Sequence, residues 1–259
     1  MLRHMQSIVT SVLLLLFSFC VNAIELGVEF SADAIQVAPG RPTMQSKMYV
    51  SKKAVRTEMT QQGQFVVNIA YPREGKRLLL FPDKKMYMEQ TGLRLSPSWS
   101  GNSAKSPCEG IPKSSCEKLG HENLRSAYVE KWQVERSVKG KTFRSLHWID
   151  TKRKLAIKEM LPDGSVSELI MLGKGKLNGR DVEQWESRFY NPSGQGMTAK
   201  QWYDPELKIV IREEQENGYL RELTNIKVGK QDENLYRLPA DYKKMVANKN
   251  SENNLNKRQ

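Results

Sequence analysis

Apolar and polar positions alternate along most of this chain, the period of a strand with one face turned inward. Phe65, Val67, Ile69 and Tyr71 alternate with Val66, Asn68 and Ala70, and Gln62-Gly63 just before them has the composition of a hairpin turn. Upstream, Lys47 to Ser51 and Val55 to Met59 read as two short strands; downstream, Leu78 to Phe81 and Met86 to Met88 flank Pro82-Asp83-Lys84-Lys85. Residues 24–90 are therefore expected to form a β-meander. No long window has a convincing 3.6-residue period, so helix is expected to be minor.

The second half repeats itself. At an offset of 53 residues, Leu172, Gly173, Leu177, Val182, Glu183 and Trp185 fall on Leu119, Gly120, Leu124, Val129, Glu130 and Trp132. One residue further on, the offset becomes 54, and Trp202, Asp204, Ile209, Ile211, Glu213 and Gly218 fall on Trp148, Asp150, Leu155, Ile157, Glu159 and Gly164. Each copy predicts short strands joined by tight turns. Asn178-Gly179, Asp163-Gly164 and Asn217-Gly218 suit two-residue type I′ connections, in which both central residues take positive φ. Two copies are too few for a solenoid, so they read as successive pieces of one antiparallel sheet.

Between Thr91 and Ser115 the composition shifts to Ser, Pro, Gly and Lys, an irregular linker (91–118) between the halves. It carries Cys108 and Cys116. A close pair in such a segment is most simply a disulfide, worth roughly 2.5 kcal/mol on the chain-entropy model. A metal site would need further ligands, with His121 the nearby candidate, and a redox pair would more often be Cys-x-x-Cys. Residues 246–259 are polar and rich in Asn and Lys, the composition of a disordered tail.

The first 23 residues read as a secretory signal: Arg3, an apolar run from Ile8 to Phe19, then Val21-Asn22-Ala23. Cys20 admits a lipoprotein signal as the competing reading. The formal charge of the whole chain is +12. That balance suits contact with anionic lipid or another polyanion, but the basic residues are spread along the chain among acids, which better suits a solvated lysine-rich surface that keeps a β-rich protein from aggregating. The expected organisation is a leader (1–23), one domain (24–245) and a tail, exported to the periplasm.

Chemistry is sparse. There is no Gly-x-Ser-x-Gly, no His-Glu-x-x-His, no phosphate-cradling loop and no dinucleotide fingerprint, so no catalytic residue, cofactor or metal is expected. His147, beside Trp148, reads as a partly exposed sheet residue. Asp150 and Asp204, each two residues after a Trp, are placed to accept from backbone amides at a strand-to-turn transition. The matched aromatics can be core filler, or they can help line an apolar hollow. The candidates for such a hollow are Phe65, Val67, Ile69, Trp132, Trp148, Ile157, Trp185, Trp202 and Ile211.

The Trp-Ile-Asp run at Trp148, its copy at Trp202-Tyr203-Asp204 and the ending Leu235-Tyr236-Arg237-Leu238-Pro239-Ala240-Asp241-Tyr242 resemble the LolA/LolB-like outer-membrane lipoprotein-sorting superfamily. Lys118-Leu119-Gly120-His121-Glu122 and Val129-Glu130-Lys131-Trp132, with the Cys-containing linker before them, more particularly resemble an uncharacterised exported branch of it. The resemblance implies an all-β fold, a strongly curved antiparallel sheet forming an unclosed half-barrel whose concave face holds lipid or the acyl chains of a lipoprotein. It also implies an opening helix, where Ile24 to Gln36 is instead strand-like. The partners expected on this reading are lipid or a lipidated protein, with peripheral contact to an anionic membrane surface and no nucleic acid. The alternative is a protein-binding or envelope-scaffold module whose sheet is fully packed.

Overall fold

A computed structural model describes residues 28–92, 106–108, 113–138 and 140–245. The expected leader, the expected tail and much of the expected linker lie outside the described residues. The first half contributes β1 (Phe30–Val37), β2 (Met44–Val50), β3 (Val55–Gln61), β4 (Gln64–Tyr71), β5 (Lys76–Phe81) and β6 (Met86–Gln90). The first repeat gives β7 (Ser114–Leu124), β8 (Ala127–Val138), β9 (Lys141–Asp150), β10 (Leu155–Met160) and the start of β11 (Val166–Leu177). The second gives β12 (Arg180–Tyr190), β13 (Gly196–Asp204), β14 (Ile209–Gln215) and β15 (Leu220–Val228), and a two-residue β16 (Lys243–Lys244) ends the described chain. Helix among the described residues is limited to short 3-10 turns at Pro72–Glu74, Pro82–Lys84 and Glu233–Tyr236.

All sixteen strands form one sheet, in the order β16-β6-β5-β4-β3-β2-β1-β15-β14-β13-β12-β11-β10-β9-β8-β7. The pairings are antiparallel except β16 with β6. The two terminal strands do not pair with each other, so the sheet is an unclosed half-barrel. The chain starts at the middle of this sheet and meanders out to β6. It reappears at the opposite edge, β7, and meanders back until β15 pairs with β1. The stretch after β6 is long for a physical reason: fourteen inter-strand steps of ~4.8 Å would separate β6 from β7 by roughly 65 Å in a flat sheet.

Bulges at matched positions bend it. Leu119 and Leu172 are each the extra residue between paired neighbours, and so are Ile157 and Ile211. A bulge adds twist and re-aims the side chains beyond it. The bulged leucines are pushed out to solvent, whereas the bulged isoleucines turn inward and are buried.

Two of the four expected two-residue turns have both central residues at positive φ: Gln62-Gly63 (50° and 75°) and Asn178-Gly179 (50° and 80°). Asp163-Gly164 and Asn217-Gly218 do not. There only the glycine is left-handed, and the loop is longer, closed by Leu161 N–H to Ser165 O and by Gln215 N–H to Tyr219 O. The Asp163 and Asn217 side chains accept from the amide two residues on (2.9 Å each), which holds these residues at negative φ.

The chain buries both faces of β3 to β5. After β15 it crosses one face, where Leu235, Tyr236, Leu238 and Tyr242 cover Val67, Ile69, Leu78 and Leu80. Arg56 Nη1 donates to Leu235 O (2.6 Å) and Tyr71 Oη donates to Tyr236 O, which ties the strap down. Burial pushes the Tyr236 phenol up to about 12. An unfolded tyrosine ionises near pH 10, so this stability contribution is whole below about pH 10 and is lost as the pH rises through about 12. Urea unfolding from pH 9 to 12.5 should show that decline, and Tyr236→Phe should flatten it, leaving a shallower slope from Tyr71 and Tyr203, which burial also raises.

Candidate functional site

The nine residues expected to line a hollow fall into separate clusters. Val67 and Ile69, with Phe65 packed alongside, lie under the 233–242 strap. Trp148, Ile157 and Trp185 pack with Val129 between the two repeats. Ile211 joins Phe30, Val50, Val182 and Leu223 at the sheet centre, with Trp202 against them. Trp132 is buried but belongs to none of the clusters among the described residues; its indole N–H donates to Glu130 (3.2 Å). Strand parity explains the division, because Val182 and Trp185, three residues apart, leave opposite faces of β12.

Every indole of the repeats carries a cation. Lys118 Nζ lies 5.8 Å from the ring centre of Trp132, and Lys131 and Lys158 lie 5.0 and 5.3 Å from that of Trp148. The guanidiniums of Arg153 and Arg212 are 5.4 Å from Trp185 and Trp202 respectively. These contacts follow from register, since Trp148 is cross-strand from both Lys131 and Lys158, and Trp202 from Arg212. The basic residues thus shield indole faces as well as solvating the surface.

The Trp-x-Asp signature has an architectural cause. Asp150 Oδ1 accepts from the amides of Lys152 and Arg153 (2.8 and 2.9 Å), and Asp204 Oδ1 accepts in the same way from Glu206 and Leu207 (2.9 and 3.0 Å). The second oxygen meets a guanidinium in each copy, Arg153 for Asp150 and Arg180 for Asp204. Both carboxylates are buried, and the Arg180 guanidinium is held above its usual range by its bond to Asp204. They hold turns and are far from serving as an acid and base.

His147 is engaged rather than free. Ser145 Oγ meets its Nε2 at 2.8 Å and Glu159 Oε1 meets its Nδ1 at 2.9 Å. Ser145 and His147 are two apart on β9, and Glu159 is directly cross-strand, so sheet register alone accounts for the trio. Among the described residues no group of three or more His, Cys, Asp or Glu is arranged to hold a metal. Cys108 and Cys116 are joined as a disulfide.

The less expected feature is the face of β3 to β6 opposite the strap. Strand register puts Met59, Val66 and Phe81 in one row there, Thr57, Asn68, Leu79 and Met88 in the next, and Val55, Ala70, Arg77 and Gln90 in the third. Met59, Val66, Leu79 and Phe81 are buried, with Met44, Met88 and Met245 packed against them. Three polar atoms on this face are buried without a hydrogen-bond partner: Gln64 Nε2, Asn68 Oδ1 and Arg77 Nε. Burial alone lowers the Arg77 guanidinium below its usual range, and no carboxylate offsets it. A half-buried guanidinium beside an orphan amide and a methionine-rich surface can take an anionic group carrying an apolar tail. Nearby, the cleft of Ala34, Gln36, Met44, Ser46 and Arg221 holds about 10 Å3, roughly one water.

Sequence reasoning passed over Arg77, because one arginine leading into Leu78, Leu79, Leu80 and Phe81 looks like an ordinary strand-end cation. The signal available was the recurrence of methionine, at 44, 48, 59, 86 and 88, on strands that register onto one face.

No protein-family model matches the chain, and no curated protein matches it. Solved structures that align with it include a LolA superfamily protein from Nitrosomonas europaea, at 10% identity over 81% of this chain and 89% of that one, with a TM-score of 0.37. A domain assigned to outer membrane lipoprotein sorting in Vibrio parahaemolyticus aligns at 13% identity over 81% and 92%, TM-score 0.35. The complex of MucA and MucB from Pseudomonas aeruginosa aligns at 10% identity over 86% of this chain and 59% of that one, TM-score 0.28. Superpositions this loose carry nothing about ligand or partner.

Proposed function

We propose that this protein is an exported, non-enzymatic binding protein for an amphipathic ligand, an anionic headgroup on an acyl chain, presented as free lipid or as the anchor of a lipidated protein. The observation that carries this reading is the buried, unpartnered Nε of Arg77, with the Asn68 amide oxygen one row away, on the methionine-rich face of β3 to β6. Leaving a guanidinium N–H buried without an acceptor costs stability that a ligand oxygen can restore. Met44, Met59, Met88 and Met245 suit a tail because unbranched thioethers rearrange around one at little cost.

A fluorescent long-chain fatty acid tests it. The protein should bind the probe, and Arg77→Leu should weaken the affinity roughly 10- to 100-fold, the worth of a charge-assisted hydrogen bond. The corresponding fatty alcohol should bind the two proteins alike. Absence of binding by the unaltered protein, or equal loss for acid and alcohol, overturns the reading. A second reading, a packed scaffold that engages proteins along the outer edge of the sheet at β7, is favoured by the packing of Trp148 and Trp185 in one cluster and Trp202 against another, with no common hollow among the described residues. It predicts no acyl binding at all.

A further inference from the structure

The β8–β9 hairpin projects past β10 on one side, while on the other β7 runs beside it to Arg136 and Ser137 N–H donates to Lys113 O. Its own ladder runs out to Val138 opposite Lys141, but β10 leaves β9 at Leu146, where Met160 is the last partner. Lys141 to Ser145 therefore extend past β10 by five residues, roughly 17 Å. Cross-strand pairing puts Arg136, Val138, Lys141 and Phe143 on one face of this projection, and all four are exposed; Phe143 and Val138 keep 43% and 42% of their surface in solvent. From Arg136 to Arg144 the sequence holds Arg136, Lys139, Lys141 and Arg144 and no acid. The one acid beside it, Glu135, is occupied by Arg144 (2.6 Å).

The repeat supplies an internal control. The corresponding tip of β12–β13 is Asn-Pro-Ser-Gly-Gln-Gly at 191–196, with no charge, and it closes a hairpin of eight cross-strand pairs against ten in the first copy. Building the hairpin therefore requires neither the cations nor the phenyl ring of the first copy. The turns β8–β9, β10–β11, β12–β13 and β14–β15 share one end of the meander, and Met160, Tyr190 and Met197 are exposed beside them. Large apolar side chains so exposed along one rim mark an interaction surface.

We infer that this rim docks on an anionic lipid bilayer, with the β8–β9 tip entering first. Apolar and basic groups side by side on one exposed face suit a bilayer interface, where Phe143 and Val138 enter the headgroup boundary and Arg136 and Lys141 meet lipid phosphates. The second tip is uncharged and the β10–β11 and β14–β15 turns expose Asp163 and Glu216, so that attraction rests with the β8–β9 tip alone. The surface is separate from the Arg77 face, so it delivers the protein to a membrane whether or not a ligand is bound.

Flotation with vesicles tests it. The protein should float with phosphatidylcholine vesicles containing 30% phosphatidylglycerol, bind pure phosphatidylcholine at least tenfold more weakly, and be released by high salt. Arg136→Gln with Lys141→Gln should lose roughly 10- to 30-fold in binding, and Phe143→Ser with Val138→Ser at least tenfold. Both double variants should retain fatty-acid binding at the Arg77 face, which separates this inference from that reading and shows that they fold. An environment-sensitive dye on Thr142→Cys should shift to the blue with anionic vesicles. No flotation with anionic vesicles, flotation indifferent to both double variants, or a dye that senses no change would overturn the inference. So would capture by an acidic polypeptide combined with indifference to vesicles.

Discussion

Asp204→Ala is expected to cost about 3–5 kcal/mol of folding stability, although the residue touches no proposed ligand. Its carboxylate is 1% exposed, accepts two backbone amides across the β13–β14 turn, and bonds the Arg180 guanidinium. Alanine leaves the amides and part of a guanidinium desolvated, and breaking a buried pair from one side costs most of its environment. Asp204→Asn keeps one acceptor and should lose less. Asp163→Ala, whose carboxylate caps an exposed loop, should change stability by under about 1 kcal/mol. Urea unfolding of the three variants checks the order; equal losses at Asp204 and Asp163 would refute the turn-anchor role.

Trp185→Ala carries the other large effect, about 3–5 kcal/mol from lost burial and the cavity left behind. The ring packs with Trp148, Ile157 and Val129 and carries Arg153, whose side chain also bonds Asp150 and Glu183. The loss should therefore be cooperative with Asp150→Ala in a double-mutant cycle. Acyl-probe affinity should stay unchanged when measured below the unfolding transition. A stable Trp185→Ala protein with lost ligand would instead return this indole to the lining of a site.

The strands were legible where local chemistry decides them. Phe65 to Tyr71, the repeat with its Trp-x-Asp turns and the Asn178-Gly179 connection each carry their signal within a few residues. Other features depend on chain segments far apart. The alternation at 65–71 suggests one apolar face, yet Val66 and Val67 are both buried, because the strap at 233–242 returns from well over a hundred residues away to cover one of them. Val182 and Trp185 leave opposite faces of β12, so the matched tryptophans of the two copies, Trp148 and Trp202, pack in different clusters. Asp163-Gly164 and Asn178-Gly179 look alike as dipeptides. They differ because Asp163 spends its side chain on Ser165 N–H and closes a longer loop.

The candidate site was only partly legible. Two-sided burial hides Arg77 among apolar neighbours, and its lack of a partner exists only once β4 and β5 are in register. The cations over the indoles were likewise visible only as a diffuse positive charge. Lys118, Lys131, Arg153, Lys158 and Arg212 thus have a structural role over a ring, whereas Arg136, Lys141 and Arg144 at the β8–β9 tip are exposed.

The methionine-rich face beside Arg77 is proposed to hold the tail of an anionic amphiphile. The most direct measurement is photolabelling with a long-chain fatty acid carrying a diazirine near its methyl end, followed by peptide mapping. Adducts should concentrate on β3 to β6, at residues such as Met59, Leu79 and Met88, and should be competed away by unlabelled fatty acid. Adducts confined to the tryptophan clusters around Trp185 and Trp202, or no competable adduct anywhere, would contradict it.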